Sequence, residues 1–377
     1  MAMVILQLPF ARALAGKIIW QRILAFLILF VAAAGHAGEI RPYTGSDTEE
    51  DGRAYTWLSI HPDGNRWLIT ECMEKDGARS CFPFLYDFRT GRYQRYALPP
   101  GYFYMNARFS PSGNVIVAER NPVPVDFSAN EKRQLMSETE VIRMNIDGAD
   151  FQVLPVPKGF LTYPVMSPDE TKVAYWSAVT APNEKELRQI PMTELHEFDL
   201  TTKVDRLFAG PFQFQLSGNL QYRTNDEIAV QMFGASARPP KILNGEKLHL
   251  VEVVSIKRNS TTLPEPLTAR AAIYTSAILD KKQRVHILMQ EKSRAFMMIK
   301  IDAQGETYLW KSPPYPLGGP IVTSVSHDGR FTGFIYMTNP ILTADMKNRL
   351  GVFCSCDGGW YSVRLPHFES AETIEVR

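Results

Sequence analysis

The chain has 377 residues, 45% hydrophobic and 21% charged, enough apolar material to bury a large core, which excludes a disordered chain. Its 41 Lys and Arg against 40 Asp and Glu leave no charge excess that would recruit nucleic acid by neutralising phosphate. With 26 Pro, 24 Gly, 21 Phe, 15 Tyr and 6 Trp and no helical rhythm, the composition points to many short strands and turns.

Residues 1–37 carry Arg12, Lys17 and Arg22 without an acid, then an apolar run from Ile23 to Ala34, then Gly35-His36-Ala37, small where a signal peptidase reads. This stretch is read as a secretory signal peptide, cleaved after Ala37. About a dozen apolar residues fall short of the roughly 20 that span a bilayer, so the product is expected to be periplasmic or secreted and not an integral membrane protein. All four cysteines follow the signal, as suits an oxidising compartment. Cys72 and Cys81 flank a polar stretch containing Asp76-Gly77, near the ends of a hairpin, and are expected to pair. Cys354 and Cys356 read either as a local bridge or as two thiols on one face of a strand, since a zinc site lacks its second ligand pair.

Beyond the signal the sequence repeats itself. Ser59-Ile-His-Pro-Asp-Gly-Asn-Arg-Trp-Leu-Ile-Thr70 is echoed by Phe109-Ser-Pro-Ser-Gly-Asn-Val-Ile-Val-Ala118 and by Met166-Ser-Pro-Asp-Glu-Thr-Lys-Val-Ala-Tyr175. Weaker copies run from Gln221 to Val230 and from Ser276 to Ile287, and a clear one from Val325 to Phe334. Each predicts strand, tight turn, strand, because Pro presets φ and Gly accepts the positive φ where the chain reverses. A second hairpin follows most copies, as in Phe84–Tyr96, Val141–Val153, Leu195–Phe208, Met297–Leu309 and Val352–Arg364. Four strands per repeat and six repeats predict an all-β fold, a six-bladed β-propeller of four-stranded antiparallel blades, filling residues 38–377 as one domain.

The Ser-Pro-Asp-Gly hairpins, each followed by a strand ending in an Asp-x-x-Thr-Gly or Asp-Gly turn, resemble the TolB-like six-bladed propellers with WD-like repeats over roughly residues 54 to 366. The resemblance implies the fold. It does not imply one activity, because the same repeat serves binding proteins and the propeller domains of peptidases. It extends to the propeller part only, without the α/β domain that precedes the propeller in TolB itself.

The sequence contains no Gly-x-Ser-x-Gly nucleophile elbow. The starts of the innermost strands, which face the central channel of a propeller, carry neither carboxylate nor His, so no metal, no cofactor and no catalytic residue is expected. Tyr55, Asn106, Tyr163, Gln215, Tyr274 and Thr323 are the candidate channel lining. The connections between second and third strands are long in four repeats and fall on one face of the disk, where binding loops reside. Their apolar residues Phe127, Ile190, Met192, Ile242, Leu243, Ile341 and Leu342 are the candidate anchors for a partner, or pack back onto their own blades. The expectation is a monomeric, non-catalytic scaffold of the bacterial cell envelope that binds a protein or envelope component. The alternative is a small-ligand-binding or hydrolytic propeller that uses the channel.

Overall fold

The computed structural model describes residues 39–42, 54–75, 78–123, 137–178, 192–213, 216–233, 241–243, 246–248, 251–262, 267, 274–279, 285–290, 295–302, 305–314, 320–326, 331–337, 348–354, 359–366 and 370–377. The signal-peptide reading, the anchors Phe127, Ile190, Ile341 and Leu342, and Gln215 lie outside these residues.

The fold is an all-β propeller of antiparallel sheets. A short strand β1 (Glu39–Pro42) leads the chain. The first sheet is β2 (Ala54–Ile60), β3 (Arg66–Lys75), β4 (Ala78–Asp87) and β5 (Arg92–Ala97). The second is β6 (Tyr102–Phe109), β7 (Val115–Pro122), β8 (Glu140–Asn145) and β9 (Gln152–Val153). The third is β10 (Phe160–Met166), β11 (Lys172–Ala178), β12 (Met192–Asp199) and β13 (Asp205–Gln213). In the fourth, β14 (Leu216–Thr224) and β15 (Glu227–Phe233) are separated from their partner by a self-paired hairpin, β16 (Lys241–Leu243) and β17 (Glu246–Leu248), before β18 (Val251–Lys257) completes the sheet. The fifth is β19 (Tyr274–Leu279), β20 (Val285–Gln290), β21 (Ala295–Asp302) and β22 (Gly305–Pro314). The sixth is β23 (Pro320–Val325), β24 (Phe331–Met337), β25 (Asn348–Cys354) and β26 (Gly359–Arg364), and β27 (Glu372–Glu375) ends the chain.

Strands within each sheet pair in chain order, and the first strand of each sheet lies against the first strand of the next, with β23 returning to β2. Two strands depart from the repeat. β1 pairs antiparallel with β26, and β27 pairs in parallel with β5, matching Glu372–Glu375 to Gln94–Ala97. The main chain of Arg377 then exchanges hydrogen bonds with Gly148 and Phe151 of the second sheet. A Cβ on Gly148 would sit 2.4 Å from the Glu375 carbonyl oxygen, so only glycine admits this contact.

The repeated turn has a physical reason for its serine. The Ser110 hydroxyl oxygen accepts the Val115 N–H at 3.3 Å, Ser167 accepts Lys172 N–H at 3.0 Å, and Ser326 accepts Phe331 N–H at 3.0 Å. Each hydroxyl closes a turn whose ends are already joined by a main-chain bond, from Ser110 N–H to the Val115 carbonyl for example. All three serines are buried, so each must find such a partner. In the first copy His61 takes that place, its ring edge-on to Phe109 with centroids 5.0 Å apart.

The first, second and third sheets are covered on both faces, which is why their strands read as apolar runs rather than strict alternation. Ile69 faces Ile335 and Leu350 across the seam between first and sixth sheets, while its neighbour Leu68 joins Tyr104 and Ile116 between first and second. Val117 and Val173 fill the next seam, and Ala174 and Trp176 meet Leu220 and Val230 between third and fourth. A buried Leu or Ile here contributes about 1.5–3 kcal/mol, and no single sheet could supply both of its own covers. The Cys72–Cys81 disulfide is present, joining directly paired residues of β3 and β4. Cys354, buried in β25, is also disulfide-bonded.

Candidate functional site

Register breaks recur in the first strands. Shifts occur between Tyr55 and Trp57 in β2, Met105 and Arg108 in β6, Thr162 and Val165 in β10, Ser217 and Leu220 in β14, and Pro320 and Val322 in β23. A bulge turns side chains that would point into a seam toward a new direction. In β6 and β10 the bulged residues Asn106 and Tyr163 stand at φ of 52° and 56°, a left-handed conformation that costs a side chain free energy and collects at functional sites.

Both strained residues serve one carboxylate. The Asn106 side-chain amide and the Tyr163 main-chain N–H each donate to Oε1 of Glu119, which sits in β7 and is 3% exposed. Burial pushes the Glu119 carboxyl up to about 7, against the opposing pull of the Asn106 amide, the Tyr163 N–H and the charge of Arg108. A carboxyl balanced there can give or take a proton near neutral pH.

Arg108, 5% exposed, lies across this group. Its Nη1 donates to the Leu220 carbonyl of β14, two sheets away, and its guanidinium stacks 4.4 Å from the ring centre of Trp57 in β2. Trp57 in turn tilts against Tyr163, centroids 5.7 Å apart. Burial draws the guanidinium down from its ordinary value while Tyr163 and Glu119 resist. The first four sheets thus converge on one polar cluster bounded by two aromatic rings.

A second buried acid, one sheet further on, is held differently. Glu197 of β12 receives Arg258 on both oxygens, at 2.9 Å and 3.0 Å, and the Tyr222 hydroxyl at 2.7 Å. Lys172 stands 3.8 Å away, and Arg258 also stacks on Phe208 at 4.4 Å. The hydrogen bonds to Glu197 hold the guanidinium above its ordinary value. Among the described residues, no three His, Cys, Asp or Glu side chains gather as a metal site would require.

Of the candidate channel residues, Asn106 and Tyr163 meet at Glu119. Tyr55 is buried in the seam between first and sixth sheets, opposite Glu71 in register. Tyr274 and Thr323 belong to the first strands β19 and β23. Among the candidate anchors, Met192 opens β12, and Ile242 and Leu243 belong to β16, paired with Lys247 and Glu246. The carboxylate escapes a reading of the first strands because it lies on β7, a second strand in unbroken register with β8, and the bulge in β6 sets Asn106 against it. A signal existed: Glu119 ends the apolar run Val115-Ile-Val-Ala118, where a lone acid follows residues that a buried strand supplies.

No family model and no curated relative matches the sequence. Solved structures match at the level of fold. An oligogalacturonate lyase in complex with manganese superposes with a TM-score of 0.50 at 14% identity, over 86% of this chain and 85% of that one. A puromycin-hydrolysing peptidase of Mycobacterium tuberculosis gives 0.49 at 11%, over 88% and 57%. TolB from Acinetobacter baumannii gives 0.44 at 13%, over 81% and 70%. The expectation that the chain is not an enzyme is corrected: a solved structure of this fold is a lyase, so the propeller does not by itself exclude catalysis. The starts of the first strands read as free of carboxylates; Glu119 comes from β7, a second strand, outside the segments which that reading covers.

Proposed function

We propose that this protein is a small-ligand-binding, hydrolytic propeller whose working site is the central channel at Glu119. The observation that carries the reading is the convergence of two strained residues, Asn106 and Tyr163, on one buried carboxyl. Strain of this kind collects where it serves a site. Glu119 acts as general acid and base, and Trp57 and Tyr163 supply apolar walls. The propeller is read as six-bladed, one blade for each of the six sheets that follow one another in the chain, a reading supported by the return of β23 to β2. Export to the periplasm or the exterior is supported by the Cys72–Cys81 disulfide.

The test is a thermal-shift panel of small esters, amides, glycosides and phosphate esters on the purified protein, with products followed by chromatography. A compound that stabilises the protein and is turned over, with turnover falling ~100-fold or more in Glu119→Gln, supports the reading. Turnover unaffected by Glu119→Gln, or no stabilising compound, overturns it.

A further inference from the structure

The side chains around Glu119 leave a specific set of donors unused. Arg108 spends Nη1 on the Leu220 carbonyl and one guanidinium face on Trp57. Its Nε and Nη2 are buried and have no hydrogen-bond partner, and neither has the buried indole Nε1 of Trp57. Nε–H and the Nη2–H beside it form one side of the guanidinium fork, the pair of parallel donors that matches two oxygens of a planar acid. All three unused atoms are donors. Leaving each unmet in the interior costs about 1–3 kcal/mol, so the cluster is complete only when an acceptor with at least two oxygens enters.

Glu119 is not the hydrogen-bonded acceptor of these atoms: its bonds come from Asn106 and Tyr163, and Arg108 acts on it through charge alone among the described contacts. The charge at the site is therefore one guanidinium beside one carboxyl that is half-protonated near neutrality. That balance suits a monoanion and opposes a phosphate dianion.

We propose that Arg108 is the receptor for a carboxylate group on the ligand of the channel. The carboxylate lies along the Nε and Nη2 side of the guanidinium, with the Trp57 indole N–H as a third donor. This deepens the reading of the channel as a ligand site and rests on it. It assigns Arg108 to substrate recognition and the ligand to the organic monoacids.

The experiment uses the full protein with acetate, pyruvate, lactate and benzoate as probes, and inorganic phosphate and sulfate as controls at matched ionic strength. Two readouts are followed: binding heat, and the wild-type Arg108 Nε–H resonance in a proton–nitrogen correlation spectrum. The latter needs no variant to fold. The expected result is that a carboxylate shifts this resonance and binds, and that Arg108→Lys, which keeps the charge and loses the fork, binds about tenfold or more weakly, about 1.4 kcal/mol. Glu119→Gln, with one negative charge fewer, binds the same acid as well or better. The proposal is overturned if Arg108→Lys binds as the wild type does, if phosphate or sulfate alone moves the resonance, or if no probe moves it. A neutral ligand turned over through Glu119 while no acid reaches Arg108 removes the carboxylate assignment and leaves the channel reading standing. Absence of any ligand removes both.

Discussion

Glu119 and Glu197 are both buried glutamates, on the second strand of one sheet and the third strand of the next, and they are opposites in chemistry. Glu197 is saturated: two guanidinium bonds, a phenol and a nearby ammonium leave its charge fully compensated. Glu119 receives two neutral donors on one oxygen, and the nearest cation is turned elsewhere. The difference separates a carboxylate that stabilises the fold from one kept available for a proton and a ligand. Burial alone does not distinguish them; the partners do.

The sharpest way to break this comparison is to delete each acid. Glu197→Ala strands a guanidinium and a phenol and is expected to cost about 3–5 kcal/mol in urea unfolding, roughly twice the cost of Glu119→Ala, about 1–3 kcal/mol for two orphaned neutral donors. Equal costs would erase the distinction. Next comes pH. The folded-state value of Glu119 is raised to about 7 from an ordinary 4.5, so its contribution is fully present below about pH 4.5 and is lost as pH rises through 7, roughly 3 kcal/mol over the window. His196 loses support in the same direction. Burial tends to lower its value, but its bonds to Asp205 and Glu194 outweigh burial and raise it. The readout is therefore the wild type minus Glu119→Gln, in which His196 cancels. A flat difference across the window would contradict the assignment of Glu119.

A smaller effect sharpens the other side. Arg258→Lys keeps the charge beside Glu197 but cannot donate to both oxygens, and is expected to cost about 1 kcal/mol. The smallest is Asn106→Gly. Glycine relieves the left-handed backbone while the amide donor to Glu119 is lost, so stability should change by less than ~1 kcal/mol while channel activity falls. A large loss of stability in this variant would mean that Asn106 is a structural residue.

The fold was readable because its signals are local. Ser110-Pro-Ser-Gly113 and its copies encode a turn within five residues, and the paired runs on either side encode a hairpin, so the sheets could be laid out from the sequence. Cys72 and Cys81 were readable for the same reason, being opposite each other across one turn. The site was half readable. Asn106 and Tyr163 are candidates by their position in the first strands, but Arg108 follows a bulge and Glu119 comes from a second strand, and a shift of one residue in register reverses the direction of every side chain beyond it. No local pattern announces that shift. The hairpin β16–β17 escapes a sequence reading because its strands are only three residues long, and β27 because it is specified by a partner nearly 280 positions earlier.

That last pairing has a consequence for handling the protein. With β27 in place, the N–H and C=O groups along the outside of β5 are occupied. A cut anywhere between Leu365 and Glu372 would free that row and turn the first sheet into a template on which another chain's strand can add. Limited proteolysis near the C-terminus should therefore produce self-association before it produces unfolding.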